Sequence, residues 1–301
     1  MIIVFGSVNV DFVTRVTAIP KPGETVLGPA YDVIPGGKGA NQALAARRAG
    51  SPTLMAGAVG DDPFAAIGLG LLIEAGVDCS AIAKVSAPTG AAFITVDQNG
   101  ENAITVASGA NAYARAKSLE AIAIGPKDTL LMQREVPEVE QIAAARYAKA
   151  RGARVILNVA PAGVIADDLA AHIDMLIMNE HEALTVAQGM GFSCEDAENN
   201  ARMIAQTRAI ATIVTLGAEG AVGWTDGVRR HVSAPSVTVV DTTAAGDSFC
   251  GAFASALDQG FGFTGALARG VTAGSLACTI NGAQPSLPTK AAIEAMIGHP
   301  T

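Results

Sequence analysis

The chain has 301 residues, half of them hydrophobic and 16% charged. That mixture excludes a disordered or fibrous chain and suits a compact α/β protein. The formal net charge of −8 argues against broad contact with nucleic acid or an anionic membrane. An anionic ligand would have to be met locally, by helix N-termini, a few Lys or Arg and metal ions. No apolar run approaches the roughly 18 residues that span a bilayer, and Met1-Ile2-Ile3-Val4-Phe5 lacks the basic start of a signal peptide. Cys79, Cys194, Cys250 and Cys278 are scattered, as are His172, His181, His231 and His299. Reduced thiols in a cytoplasmic protein, and no zinc site, are the expectation.

In chain order, a strand predicted over 2–5 leads to Asn9 and Asp11, which share one face of an extended segment while Val8, Val10 and Phe12 take the other. Such an amide and carboxylate either face solvent or suit adjacent sugar hydroxyls. Gly36-Gly37-Lys38-Gly39-Ala40-Asn41 then opens a helix predicted over 42–49. It lacks the glycine spacing and the Ser or Thr of a Walker loop. It is either a glycine turn or a place where backbone approaches a small polar ligand, with Lys38 and Asn41 as donors.

A strand over 53–59 follows, and then strand-like runs at 92–97 and 102–107 flank Gln98-Asn99-Gly100-Glu101, a hairpin signal. Together with the irregular extended stretch over 11–35, the 90–108 region is expected to form a small antiparallel β lid. Further strands are predicted over 129–133, 155–159, 175–178, 211–216 and 237–240, alternating with helices such as 136–151 and 195–208. This alternation predicts a three-layer α/β/α sandwich with a mostly parallel sheet. One domain over 1–301 accounts for the whole chain.

In such a sheet, ligands bind at the carboxyl ends of the strands. Asn9, Asp11, Glu135, Asn158, Asn179, Glu182, Thr215, Asp241 and Asp247 all follow or end predicted strands. Asn179 and Glu182 share a helix face, and either form a capping box or hold a hydrated Mg²⁺. Asp241-Thr242-Thr243-Ala244-Ala245-Gly246-Asp247 precedes Phe249, Phe253 and Leu257, whose four-residue spacing marks a helix beginning near Gly246. Small residues at that start let backbone N–H groups approach phosphoryl oxygens. Asp247 is then either a helix cap or a base that accepts a hydroxyl proton. Gly260-Phe261-Gly262-Phe263-Thr264-Gly265 matches the dinucleotide pattern by letter but follows a helix, so it is set aside.

Taken together, Gly6 to Asp11, Gly36 to Asn41, Gln133-Arg134-Glu135, Asn179 to Glu182, Thr215-Leu216-Gly217, Asp241 to Asp247 and Gly282-Ala283-Gln284-Pro285-Ser286 resemble the ribokinase-like sugar kinases, the PfkB family, almost end to end. Within that family the ribokinases are most similar. The resemblance implies a lid that often mediates homodimerisation, and an ATP-dependent kinase using Mg²⁺ and K⁺. It implies sugar contacts from Asn9, Asp11, Gly37, Lys38, Asn41 and Glu135, with Asp247 as base and the Ala244-Ala245-Gly246 backbone as anion hole. Asn179 and Glu182 would organise Mg²⁺ and phosphates, while the stretch from Thr215 through Gly217 to Gly220, together with Val271, would line the nucleotide site. Asp241, Thr243, Ala277, Ile280, Gly282 and Ser286 would hold the monovalent cation. Two departures stand out: Ala244 where the family's motif commonly begins with Gly, and Val271 where ribokinases often place an Asn near adenine.

Overall fold

The computed structural model describes residues 1–192 and 196–298; Cys194, Glu195 and His299 lie outside the described residues. Among these, nine strands form one sheet in the order β13-β12-β11-β10-β9-β8-β1-β4-β5. They are β1 (Ile2–Phe5), β4 (Thr53–Gly60), β5 (Asp78–Val85), β8 (Thr129–Met132), β9 (Arg154–Asn158), β10 (Met175–Asn179), β11 (Ala211–Thr215), β12 (Ala221–Thr225) and β13 (Val228–Val232). All pairings are parallel except β11–β12 and β12–β13. The remaining strands, β2 (Asn9–Arg15), β3 (Tyr31–Gly36), β6 (Gly90–Val96) and β7 (Asn102–Ala107), form the lid in the order β3-β2-β6-β7. Two antiparallel pairs, β2–β3 and β6–β7, are joined there by a parallel β2–β6 pair.

The helices are α1 (Lys38–Arg48), α2 (Pro63–Glu74), α3 (Glu138–Lys149), α4 (Asp167–Ala170), α5 (Glu180–Gly189), α6 (Ala197–Arg208), α7 (Ala245–Asp258), α8 (Phe263–Ala277), α9 (Ala283–Ser286) and α10 (Lys290–Gly298). Strand alternation sorts them into two layers. Ile3 and Phe5 of β1 face Ala144, Ala145 and Ala148 of α3 and the apolar sides of α5 and α6. Ile2 and Val4 face Leu44 of α1, Phe253 of α7 and Leu267 of α8. With both faces covered, the central strands are largely apolar between their ends, as buried parallel strands are. The strand order reverses between β8 and β1, and that switch point opens a crevice at the carboxyl ends.

Two boundaries differ from expectation. No strand forms at 237–240: Val239 and Val240 are exposed there, and the Val240 N–H donates to Cys278 O at 2.8 Å. The β-branched run finds no sheet neighbour because the β12–β13 hairpin already occupies that edge. The segment instead carries Asp241 to the end of α8. Second, α1 begins at Lys38 rather than residue 42, because Gly37 at φ 91 makes the turn in a single step. Lys38 and Asn41 therefore lie in the first helical turn.

Candidate active site

Three adjoining chambers run along the carboxyl edge of the sheet. The first lies between sheet and lid and is lined by Asn9, Asp11, Gly37, Lys38, Asn41, Glu135 and Asp247 beneath Ala92, Ile94, Ile104 and Val106. The second is lined by Lys38, Asn158, Asn179, Glu182, Thr215, Thr242, Ala244, Ala245, Gly246 and Asp247. The third is lined by Thr215, Gly217, Gly220, Ala245 and Gly246, with an apolar wall of Val237, Val239, Phe249 and Val271. Lys38, Ala244 and Asp247 face both the first and second chambers. Thr215, Thr242, Ala245 and Gly246 face both the second and third.

The first chamber is built by contacts that fix which atom each polar side chain presents. Asn111 donates from Nδ2 to Asn9 Oδ1 at 2.7 Å and to Val8 O at 3.2 Å, while its Oδ1 accepts the Val8 N–H at 2.9 Å. Asn9 thus has its oxygen engaged and its amide nitrogen available. Glu135 Oε2 accepts from Ser7 Oγ at 2.5 Å and from the Lys38 N–H at 3.2 Å. Asn41 donates from Nδ2 to Asp247 Oδ2 at 2.9 Å, and its buried Oδ1 has no protein partner, so it can accept from a hydroxyl in the chamber.

The electrostatics follow from crowding. Burial, then Glu135 and Asp247, push the Asp11 carboxyl up to about 7, against a smaller opposite pull from Lys38. Burial works against the Lys38 charge, but Asp247, Glu135 and Glu182 outweigh it and raise that ammonium above its ordinary value. Glu182 is also raised, chiefly by burial. The half-buried Lys38 thus serves several carboxylates, and an incoming polyanion in the second chamber would be met by that lysine and by backbone.

Helix α7 supplies the backbone. Its N-cap, Ala244, sits at φ 59 and ψ 12 in the left-handed region, which explains why glycine is the commoner choice there. The Ala245 N–H is taken by Thr242 O at 3.2 Å, and Ser248 N–H is the first to bond back, to Ala244 O at 2.8 Å. Gly246 and Asp247 therefore carry first-turn N–H groups that have no i−4 carbonyl in the helix. A Cβ added to Gly246 would meet nothing within 4 Å, so the glycine leaves open space at the helix start.

Asn179 and Glu182 do form a capping box: Asn179 Oδ1 accepts from Glu182 N–H at 2.8 Å and Glu182 Oε2 from Asn179 N–H at 2.7 Å. Both still line the second chamber. Asp241 gathers two loops. Its Oδ1 accepts from Thr243 N–H at 2.9 Å and Thr243 Oγ1 at 2.6 Å, and its Oδ2 from Gly282 N–H at 2.8 Å. These bonds hold its carboxyl below the usual range despite some burial. Ala277 ends α8 beside this pair of loops, Ile280 is half exposed, and Ser286 Oγ turns to Ala283 O at 2.8 Å.

Sequence reasoning missed Asn111, the apolar roof of Ala92, Ile94, Ile104 and Val106, and Gln42. The roof residues carry only β-strand alternation as a signal. Asn111 and Gln42 act on residues at least 91 positions away, where no local spacing can reveal them.

The family model for pfkB family carbohydrate kinases matches residues 1–290. A ribokinase from Haemophilus influenzae is 38% identical over 292 residues, covering 95% of each chain. The crystal structure of a Thermotoga maritima ribokinase superposes with a TM-score of 0.92 at 33% identity, covering 99% of both chains. The structure of an Arabidopsis thaliana ribokinase complexed with ribose and ATP gives 0.89 at 30% identity, covering 99% of this chain and 98% of the other. A full-length family match and relatives of this similarity, on a crevice built around Asp247, leave one conclusion: the chain belongs to the pfkB family of carbohydrate kinases.

Proposed function

We propose that the protein transfers the γ-phosphoryl group of ATP to the 5-hydroxyl of D-ribose, with Asp247 as the general base. The observation that carries this reading is the position of Asp247 on the wall shared by the lid-covered chamber and the chamber at the α7 start. A sugar in the first chamber would be held by Asn9, Asp11, Gly37, Lys38, Asn41 and Glu135. Asp247 takes the proton as the hydroxyl oxygen forms its bond to phosphorus, and the bond to the departing ADP breaks in line. The Lys38 ammonium and the Ala244-Ala245-Gly246 turn, with the N–H groups of the first helical turn, hold the phosphoryl oxygens as negative charge spreads over them. The nucleotide would occupy the third chamber along Thr215, Gly217 and Gly220, its base against Val271.

The family implies two metal ions. Glu182 is a buried carboxylate facing the phosphate chamber, and hard oxygen ligands that leave waters in place suit Mg²⁺; Asn179 and Glu182 would hold it through water, and bound there it would neutralise phosphate charge. Asp241, Thr243, Ala277, Ile280, Gly282 and Ser286 would hold K⁺, supported by the way Asp241 ties their two loops together beside α7. We assign the enzyme to the cytoplasm on its unpaired Cys79, Cys250 and Cys278. We also infer a homodimer through the lid, supported by Tyr31 and Phe93 standing exposed on its strands.

A turnover screen across pentoses, deoxyribose, hexoses, keto-sugars and nucleosides with ATP tests the substrate. D-ribose should give the highest kcat/KM, and a clear preference for a nucleoside would overturn the assignment. Exchange of K⁺ for a bulky organic cation should lower kcat. Equal rates in both buffers would remove the cation from the account.

A further inference from the structure

Behind Asp247 lies a line of side-chain amides, two of which, Gln42 and Gln133, are fully buried. Gln42 of α1 is fully buried and donates from Nε2 to Asp247 Oδ1 at 2.9 Å and to Asn158 Oδ1 at 3.0 Å. Its Oε1 accepts from Gln133 Nε2 at 2.6 Å. Asn158, at the end of β9, donates from Nδ2 to the main-chain carbonyl of Ile177 at 3.2 Å. That last contact sets the polarity of the whole line. A carbonyl can only accept, so Asn158 must present its oxygen to Gln42, and Gln42 must present its NH₂ group to both Asn158 and Asp247. Gln133 Oε1 is left buried without a partner at the far end, a cost the protein carries to keep this orientation.

We propose that Gln42 is a positioning residue for Asp247, its amide locked donor-first by Asn158 and the β10 backbone so that the carboxylate stays aimed at the cleft. This rests on Asp247 being the base. Asn41 holds Oδ2 and Gln42 holds Oδ1, so consecutive residues of α1 grip both oxygens. The lone pairs that remain are those facing the two chambers. Two points of attachment fix the rotation of the carboxylate, and alignment at this scale governs proton transfer. Asn41 also lines the sugar chamber, so its bond is open to competition from a bound sugar, whereas Gln42 is sealed from it.

The test compares Gln42→Met, which keeps shape and loses the donor, with Gln133→Met, which removes polar atoms from the same buried line without touching Asp247. Asp247→Asn stands as reference. Gln42→Met should lower kcat roughly 10- to 100-fold while the KM for sugar changes about twofold or less. The acidic limb of its kcat/KM profile should move to higher pH, since a carboxylate that loses a donor is less favoured in its charged form. Lys38 of α1, Asp11 of β2, Glu182 of α5 and Cys250 of α7 also bear on this carboxylate's field, and all are retained. Gln133→Met should lower Tm and leave the limb in place. Gln42→Glu, nearly isosteric, places a second carboxyl against the first and should move the limb further in the same direction. It also serves if the methionine variant fails to fold. Wild-type kcat and limb in a folded Gln42 variant, or the same changes in Gln133→Met, would overturn the proposal. Full turnover in Asp247→Asn would instead remove the base on which it depends.

Discussion

Two glycine-marked helix starts flank the cleft, and their glycines are there for different reasons. At α1 the protein itself fills the space: a Cβ on Gly39 would lie 2.5 Å from Ser7 N and 2.7 Å from Gly6 C, and one on Gly37 would lie 2.6 Å from Asn9 N. At α7 a Cβ on Gly246 would meet nothing within 4 Å. The first start is packed against the β1–β2 turn so that Asn9, Lys38 and Glu135 converge. The second opens onto the second and third chambers. Identical residues thus answer to close packing on one side and, in the proposed mechanism, to phosphoryl transfer on the other.

That contrast is open to attack by substitution. Gly39→Ala should cost about 3 kcal/mol of stability, because rigid backbone must move to admit the methyl group; a thermal melt within error of wild type would mean that α1 is not packed as described. Gly246→Ala should melt like the parent yet lose roughly 10- to 100-fold in kcat/KM, the methyl group displacing phosphoryl oxygens. A destabilised Gly246→Ala with normal kinetics would reverse the comparison. Between the two starts, Asp11 offers a pH test. Its carboxyl keeps its proton up to about 7 in the folded chain against an ordinary 3.8. The folded state then binds more protons across that window. Stability of the unliganded protein should fall as pH rises through it, by at most about 1.4 kcal/mol per unit from this group. Asp11→Asn should flatten the Tm profile between pH 5 and 7, and an unchanged slope would put the titration elsewhere. Smallest of all, Ala244→Gly relieves the left-handed alanine at the α7 cap and should raise stability by about 0.5 kcal/mol, after the entropy of the added glycine is set against it.

How much of this was legible in the sequence depended on how local the physics was. Central strands such as β1 announce themselves as unbroken apolar runs because helices cover both faces. The edge strand β5 alternates between exposed and half-buried residues, and it went unread for that reason. The β12–β13 hairpin was overlooked despite its Asp226-Gly227 turn, while the β-branched run at 237–240 was over-read. Propensity cannot tell whether a neighbouring strand will be present. Helix α2 was missed although Asp62 caps it and Pro63 opens it.

In the site, Asp247 and Gly246 could be singled out because a strand-like run, small residues and an amphipathic helix follow one another within a few positions. Asn179 and Glu182 fit both a capping box and a ligand site by spacing alone, and the capping contacts are present in residues that also line the second chamber. Gln42 and Asn111 were invisible because their partners are set by tertiary packing alone. The apolar roof of the sugar chamber reads in sequence as ordinary β7 and β6 alternation.

The claim on which the rest stands is that the α7 carboxylate removes the acceptor's proton while the helix start steadies the phosphoryl group. Asp247→Asn, assayed for turnover and for sugar binding by calorimetry on one preparation, tests it most directly. Turnover should fall by about 10²–10⁴-fold with the sugar still bound within a few-fold of the parent affinity. Turnover close to the parent's, in a variant that binds sugar normally, would contradict it.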